Sequence, residues 1–249
     1  MALVTIADFE LLELIAESSR AKLHRARHRG SGEIVALKQV ADATAACREI
    51  RALNQLKHPQ VVQIIDSGNE HGFAALALEW LDGLTLDQAA PLLYESWIVL
   101  AQQIHAALTA VHGQDLLHLD VKPGNVMHDS KAGWKLIDFG ECHPAFEARL
   151  HAMTGSIYTM APEQFSGGEV DARTDFYALG CTLFFAWTGR MAHDGELTPQ
   201  VMTRHLHPPD LAADPDLARL PAPWRLWLIA LMKRDPEQRP LSLPCVPVG

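Results

Sequence analysis

Residues 118 to 125 read His118-Leu119-Asp120-Val121-Lys122-Pro123-Gly124-Asn125, and thirteen positions after the asparagine comes Asp138-Phe139-Gly140. The first aspartate can receive the proton of a hydroxyl group, and a lysine two positions later can neutralise a phosphoryl group in transfer. The asparagine and the second aspartate supply the oxygen ligands that Mg²⁺ prefers. Together these polar groups are those that transfer of a phosphoryl group from ATP to a hydroxyl requires.

Further short motifs lie on both sides of this segment in a fixed order. They are Val35-Ala36-Leu37-Lys38, Ala161-Pro162-Glu163, Asp175 with Gly180, and Arg239. One such motif often arises by chance, whereas several in one order rarely do. The chain therefore resembles the protein kinase superfamily, in particular the eukaryotic-like (Hanks-type) serine/threonine protein kinases of bacteria, over about residues 9 to 241.

The resemblance implies an α+β, bilobal protein-kinase-like fold. Residues 1–82 would form a small β-rich N-lobe, with an ATP-covering sheet and one main helix, helix C. Residues 83–249 would form a larger, mostly helical C-lobe that contains the catalytic loop, the activation segment and a helical core. The family's hinge between the lobes would fall near Asp82-Gly83.

The residue patterns alone predict elements that agree with this division. Short apolar runs bounded by turn residues predict strands between 9 and 40 and over 61–65 and 73–81, with a turn at Ser67-Gly68-Asn69. Apolar residues at helical spacing predict helices over 43–57, 95–112, 176–188 and 223–233.

Composition and charge limit the class of protein. A net charge of −9 argues against nucleic acid or an anionic membrane as the main partner, because surfaces that bind these need a basic excess. The four cysteines, at positions 47, 142, 181 and 245, lie far apart, so their spacing indicates neither a zinc site nor a disulfide framework. No apolar run reaches the roughly 18 residues that span a bilayer, and the N-terminus lacks the basic start of a signal peptide. We therefore expect a soluble, cytoplasmic protein.

The resemblance implies specific roles for the residues of the central segment. Asp120 would be the base or orienter of the substrate hydroxyl, and Lys122 would contact the γ-phosphate. Asn125 and Asp138 would bind Mg²⁺, and Mn²⁺ could replace it. His118 resembles a catalytic residue, but in the family it packs beneath an aromatic ring.

Lys38 would hold the α- and β-phosphates, and Glu49 would pair with it from helix C. In the alternative interpretation, Glu49 is a surface carboxylate with partners on its own helix. Only eleven positions separate the two residues, a short connection for the family, so the helix is expected to begin late.

ATP would bind between the lobes. The residues expected around its adenine are Leu23, Ala36, Leu78, Glu79, Trp80, Leu81 and Met127, with Val126 as the alternative to Met127. Leu78 would take the gatekeeper position, and the backbone of residues 79–81 would contact the edge of the base. Without the surrounding motifs, the apolar members of this set would be interpreted as simple core.

Two departures from the family concern the phosphates and the activation segment. Ala16, Ser18 and Ala21 stand where the loop that covers the phosphates normally has glycines. Glycine permits positive φ and lets N–H groups approach phosphate, so nucleotide binding or loop closure should be altered, and Arg20 at the tip could supply charge instead. Leu119 stands where an arginine commonly receives a phosphorylated residue, so activation by loop phosphorylation is not expected.

Other motif residues are expected to support the site without reacting. Glu163 would form a buried ion pair with Arg239. Asp175 would accept hydrogen bonds from the backbone of the catalytic loop. Ser156 occupies the place of a hydroxyl residue that braces the catalytic aspartate and lysine in the family.

Three functions are compatible with these motifs. The first is a serine/threonine protein kinase that uses Mg-ATP, modifies protein serine and threonine hydroxyls and also phosphorylates itself. The second is a pseudokinase that acts as a nucleotide-sensing or partner-binding scaffold, which the missing glycines favour. The third is a small-molecule phosphotransferase, a class that generally lacks the Ala161-Pro162-Glu163 segment with its Arg239 partner. The sequence leaves the substrate and the oligomeric state open.

Overall fold

The computed structural model describes residues 6–70, 73–147 and 155–245. Its N-terminal part is a five-stranded antiparallel sheet with the strand order β1-β2-β3-β5-β4. The strands are β1 Phe9–Glu17, β2 Ala21–His28, β3 Ile34–Val40, β4 Ile64–Glu70 and β5 Phe73–Glu79.

The two faces of this sheet have different neighbours, because successive side chains of a strand point to opposite sides. Val35 and Leu37 of β3 pack into a small apolar cluster with Phe9. Ala36 packs against the larger core that continues into the rest of the chain. Lys38 lies two positions further along and shares this face, so β3 carries a cation towards the interior.

The turn predicted at Ser67-Gly68-Asn69 is wrong. These residues lie inside β4 and pair with residues 74–76 of β5, after a register shift between Ile64 and Asp66. Their turn preference is overridden because the neighbouring strand satisfies their backbone hydrogen bonds.

Helix α1, Ala43–Gln55, packs against β3, β4 and β5. Asp42 caps it, since its carboxylate accepts bonds from the N–H groups of Thr44 and Ala45 at 2.8 and 3.2 Å. The helix therefore begins three residues after the end of β3 at Val40. A short connection, and not a late helix start, accounts for the short spacing between the predicted lysine and glutamate.

The C-terminal part is mainly helical, which completes an α+β fold. Its helices are α2 Leu86–Ala89, α3 Tyr94–His112, α4 Pro162–Ser166, α5 Ala172–Thr188, α6 Thr198–Leu206 and α7 Ala222–Leu231. Helices α3, α5 and α7 pack together, and the buried Trp97 meets Trp187 and Trp224 edge to face, with ring centroids 6.2 and 5.8 Å apart. The start of α5 precedes the predicted position because Asp171 caps it.

Five short strands support the segment from 118 to 125. They are β6 Gly83–Thr85, β7 Leu116–Leu117, β8 Val126–Asp129, β9 Gly133–Leu136 and β10 His143–Pro144. Strands β6, β8 and β9 form one sheet, and β7 pairs with β10. The lobe boundary near residue 82 stays a prediction, which the pairing of β6 with β8 supports. Among the described residues, no helix is long and apolar enough to cross a membrane.

Candidate active site

One buried carboxylate fixes the loop between β7 and β8. Asp175, in the first turn of α5, accepts hydrogen bonds at 2.8 Å from the backbone N–H groups of His118 and Leu119 and from His112 Nε2. Burial alone would raise the pKa of Asp175, but the hydrogen bond and charge of His112 outweigh it and lower the pKa. The predicted contact between Asp175 and the loop backbone is confirmed.

Asp120 has one occupied and one open carboxylate oxygen. Its Oδ2 accepts hydrogen bonds from Lys122 Nζ at 2.6 Å and from Asn125 Nδ2 at 2.9 Å. Its Oδ1 is buried and has no hydrogen-bond partner among the residues that the structure describes. Because the two donors fix the orientation of the carboxylate, Oδ1 is a positioned acceptor.

Lys38 connects β3 with both α1 and the segment after β9. Its Nζ lies 2.7 and 2.8 Å from the two oxygens of Glu49 and 2.7 Å from Asp138 Oδ1. Burial alone would lower the pKa of Lys38, but the charges of Glu49 and Asp138 outweigh it and raise the pKa. Glu49 is only 1% exposed, so it is not the surface carboxylate of the alternative interpretation.

The Asp138-Phe139-Gly140 segment points into the molecule. Asp138 has a φ of 60°, a conformation that costs energy for a residue with a side chain. Phe139 is fully buried, and its ring meets that of His118 edge to face, with centroids 4.7 Å apart. Burial lowers the pKa of His118, so the ring packs as a neutral group. The packing expected of His118 is confirmed.

Asp138 and Asn125 retain oxygens that could hold a cation. The hydrogen bonds of Asp138 within the described residues use Oδ1, which leaves Oδ2 available. Asn125 donates both of its bonds, to the Asp120 carbonyl and carboxylate, through Nδ2, which leaves its Oδ1. Burial alone would raise the pKa of Asp138, but Lys38 outweighs it and lowers the pKa. Because hard divalent cations prefer such oxygens, the two side chains fit Mg²⁺ or Mn²⁺.

The β1–β2 hairpin closes without glycine. Ala16, Ser18 and Ala21 all have the negative φ usual for residues with side chains. Ser18 Oγ accepts hydrogen bonds from the backbone N–H groups of Arg20 at 3.2 Å and Ala21 at 3.1 Å. The serine hydroxyl therefore takes two N–H groups at the hairpin tip that a glycine loop would offer to phosphate.

Arg20 at the tip of the hairpin is not a free cation. Its Nη1 lies 3.2 Å from Oε1 of Glu141, the residue that follows Gly140. The Arg20 side chain is 82% exposed, so the pair contributes little to stability. It does connect the hairpin with the segment that contains Asp138.

The expected adenine residues lie on neighbouring strands. Ala36 of β3 is opposite Leu78 of β5, and Leu23 of β2 is opposite Lys38. Leu78 is buried, and Met127 lies half-buried on β8.

The connection from β5 to β6 contains Trp80 and Leu81, whose backbone is expected to contact the adenine. The guanidinium of Arg25 lies over the ring of Trp80, 5.2 Å from the ring centroid. The Trp80 side chain therefore contacts β2. Leu81 is buried, and its backbone N–H makes no hydrogen bond within the described residues.

An ion pair at the end of β5 was not predicted from the sequence. Glu79 Oε1 accepts hydrogen bonds from Lys135 Nζ at 2.6 Å and from the backbone N–H of Gln63 at 2.8 Å. Lys135 is 4% exposed although it lies in the apolar strand β9. The only sign in the sequence that Lys135 has a buried partner is its position between the apolar residues Trp134 and Leu136.

Leu119 is part of an apolar cluster. Its side chain is 5% exposed and packs with Leu117 and Val170. Its φ is 62°. Gly155 approaches it closely, since a Cβ at residue 155 would lie 2.3 Å from the Leu119 carbonyl oxygen and 3.4 Å from Asp120 Oδ1. The positive φ of Gly155, 105°, also requires glycine.

The predicted ion pair between Glu163 and Arg239 is confirmed. Arg239 Nη1 and Nη2 lie 2.7 and 2.8 Å from the two oxygens of Glu163, and both side chains are buried. The same guanidinium lies over the ring of Tyr177, 4.7 Å from its centroid.

Ser156 does not make the hydrogen bond to Asp120 that was expected of its hydroxyl within the described residues. The Ser156 carbonyl accepts hydrogen bonds from the N–H groups of Thr159 and Met160 at 3.0 and 2.9 Å. No hydrogen bond within the described residues joins its hydroxyl to Asp120, whose Oδ2 is braced by lysine and asparagine instead. Thr154, a hydroxyl residue of this segment that could be phosphorylated, and Arg149, a cation that could receive the phosphate instead of residue 119, lie outside the described residues.

Known proteins that are similar to this chain are protein kinases, in agreement with the geometry of the site. The protein kinase domain family matches residues 9–243. The chain is 31% identical to the serine/threonine-protein kinase pkn3 of Myxococcus xanthus, over 96% of this chain and 48% of that protein. It is 33% identical to the DNA damage-responsive serine/threonine-protein kinase RqkA of Deinococcus radiodurans, over 94% of this chain and 38% of that protein.

A third relative is matched over a shorter region. The chain is 31% identical to the serine/threonine-protein kinase PrkC of Bacillus subtilis, over 64% of this chain and 26% of that protein. The chain thus spans between about a quarter and a half of the length of these curated relatives.

Proposed function

This chain belongs to the protein kinase family, and from that premise we propose that it transfers the γ-phosphoryl group of ATP to serine and threonine hydroxyls of proteins. We further propose that it phosphorylates itself. Lys122, two positions after Asp120, is typical of the serine/threonine branch of the family and supports this choice of acceptor.

The observation that carries the proposal is that the buried Oδ1 of Asp120 has no hydrogen-bond partner among the described residues. A substrate hydroxyl would give its proton to this oxygen while its own oxygen bonds to the γ-phosphorus and the bond from that phosphorus to the β-phosphate oxygen breaks. Lys122, 2.6 Å from the other carboxylate oxygen, would hold Asp120 in place and neutralise charge on the phosphoryl group. ADP and the phosphorylated side chain are the products.

Lys38 would bind the α- and β-phosphates, and Glu49 would keep its ammonium group in position. Asp138 and Asn125 would hold Mg²⁺ or Mn²⁺ through their free oxygens, and the cation would neutralise the phosphates of ATP. We expect Mg²⁺ to be the ion used, because it usually binds through one or two protein oxygens together with the phosphates.

We expect adenine to lie between Ala36 and Met127, with Leu78 at the back of the cleft. The free N–H of Leu81 supports a hydrogen bond to the edge of the base. Leu23 would cover the base from β2.

The scaffold alternative depends on the three missing glycines. The hairpin forms without them because Ser18 caps its tip. The Lys38–Glu49 pair and the inward Phe139 are both in place, and a kinase requires both the pair and a correctly placed metal-binding aspartate. These contacts favour a catalytic kinase over a scaffold. The residues that replace the three glycines would weaken the binding of the phosphates.

We also propose that the catalytic part acts in the cytoplasm. ATP is available there, and the buried thiols of Cys142 and Cys181, which form no disulfide, suit a reducing compartment.

The test is incubation of the purified chain with γ-labelled ATP, Mg²⁺ and a generic protein acceptor. Label should appear on serine and threonine in the wild type and be lost in Asp138→Ala. The matched control is Asp87→Ala, which removes an exposed aspartate on α2. Equal labelling by wild type and Asp138→Ala, or labelling by neither while circular dichroism shows both folded, would reject the proposed activity.

A further inference from the structure

A second cluster of reactive side chains lies in the helical part, apart from the cleft. Cys181 comes from α5, His193 from the connection after it, and His205 from α6. One ring nitrogen of each histidine and Cys181 Sγ all lie within 4.8 Å of one another. All three residues are buried, with exposures of 1, 0 and 0%. Three different parts of the chain thus bring a thiol and two imidazoles together where water does not reach.

The hydroxyl of Tyr177 lies among these groups. Its Oη is 3.0 Å from His193 Nε2 and 2.7 Å from His205 Nδ1. A phenol has one proton, so it can donate to only one of the two rings and must accept from the other. His193 Nδ1 is buried and has no hydrogen-bond partner among the described residues. The hydrogen bonds therefore leave this cluster with an unsatisfied nitrogen.

The two imidazole rings lie close together, with centroids 4.1 Å apart. Metal ions bind the neutral form of an imidazole and the deprotonated form of a thiol, so binding here would release the proton of Cys181.

We propose that Cys181, His193 and His205 bind a Zn²⁺ ion through the Cys181 thiolate and one nitrogen of each imidazole. One sulfur and two imidazole nitrogens are ligands that the borderline-soft zinc ion accepts. Mg²⁺ and Ca²⁺ prefer oxygen ligands, so this site and the aspartate–asparagine site differ in metal.

The position of the cluster indicates what the ion would do. His205 packs against Phe165 of α4, with ring centroids 5.6 Å apart. Tyr177 carries the guanidinium of Arg239, which binds Glu163 of α4. An ion here would tie α6 to α5 beneath the segment from 155 to 166. It would fix α6 without contact to ATP.

The spacing of the ligands explains why the sequence did not reveal this site. Cys181, His193 and His205 are each twelve positions apart, on separate elements. Short zinc motifs place at least two ligands within one turn or loop. The sequence-based expectation of no zinc site is therefore the one that this proposal replaces.

The experiment uses the full chain after treatment with a chelator. Calorimetric titration with Zn²⁺, with Mg²⁺ in excess to mask the cleft, should give one ion per chain. Cys181→Ala and His205→Gln should each weaken binding at least tenfold. Cys142→Ala, which removes another buried thiol, is the matched control and should bind as the wild type does.

A second measurement needs no variant and so does not depend on their folding. Co²⁺ added to the metal-free wild type should give the visible bands of a tetrahedral site and a thiolate-to-cobalt charge-transfer band. Both should disappear on addition of Zn²⁺. Failure of the wild type to bind one Zn²⁺, equal binding by Cys181→Ala, or a cobalt spectrum without the thiolate band would each overturn the proposal. None of these readouts depends on phosphoryl transfer.

Discussion

The backbone N–H of Leu119 lies 2.8 Å from Asp175 Oδ1, and this bond holds Leu119 with a φ of 62°. The side chain is consequently directed into the cluster with Leu117 and Val170. In kinases regulated through this position, an arginine meets a phosphate here. Within the part of the chain that the structure describes, Leu119 packs among apolar side chains at the position of that arginine.

Activity should therefore be largely independent of phosphorylation in the segment after Gly140. Protein treated with a phosphatase is expected to keep its activity within about tenfold of the untreated protein. A tenfold change corresponds to a loss of about 1.4 kcal/mol in the free energy that favours the active state. The check is the initial rate before and after treatment, with Thr154→Ala as a second sample. A loss of several hundredfold that autophosphorylation restores would mean that another cation binds the phosphate.

Asp120→Asn keeps the shape of the side chain and removes its basic oxygen. We expect kcat to fall by about 10²–10⁴-fold, the usual contribution of a general base, with little change in KM for ATP. The amide can still accept a bond from Lys122, so the loop should keep its structure. Steady-state kinetics at saturating ATP measure both constants. Wild-type turnover in this variant would show that Asp120 is not the base.

Ser18→Gly should improve ATP binding. The change releases the N–H groups of Arg20 and Ala21 from Ser18 Oγ and allows positive φ at the hairpin tip. We expect KM for ATP to fall severalfold, whereas Ser19→Gly, one residue away and outside these bonds, should have little effect. An unchanged or higher KM in Ser18→Gly would mean that the serine hydroxyl does not compete with phosphate.

Arg239→Ala should destabilise the fold strongly. The change leaves Glu163 as a buried carboxylate without its cation, and such losses cost about 3–5 kcal/mol. The matched change is Arg219→Ala. The Arg219 side chain is 66% exposed and pairs with Asp216, so its loss should change stability by less than about 1 kcal/mol. Urea unfolding followed by fluorescence compares the two. A similar, small effect of both changes would contradict the buried pair.

Residues within motifs could be predicted because the motifs resemble those of a known family. That resemblance, and not spacing alone, implied the ion pairs of Lys38 with Glu49 and of Glu163 with Arg239 and the bonds from the loop to Asp175. The order of strands and helices could be predicted for a different reason, since apolar periodicity is a local property.

Contacts between distant residues without a motif could not be predicted. The Glu79–Lys135 pair joins two strands 56 positions apart, and nothing in either strand specifies the partner. The Ser18 cap depends on the backbone path of a hairpin whose glycines are missing. The turn residues of β4 were misread because pairing with β5, and not local preference, determines their conformation.

The burial of Asp120 Oδ1 has a kinetic consequence. This oxygen is shielded from solvent, and a Cβ at residue 155 would be in van der Waals contact with it at 3.4 Å. A substrate hydroxyl must reach the shielded oxygen, so we expect the residues around it to be displaced in each cycle. Part of the turnover time would then belong to this displacement, and that part would respond to solvent viscosity and not to the leaving group at phosphorus.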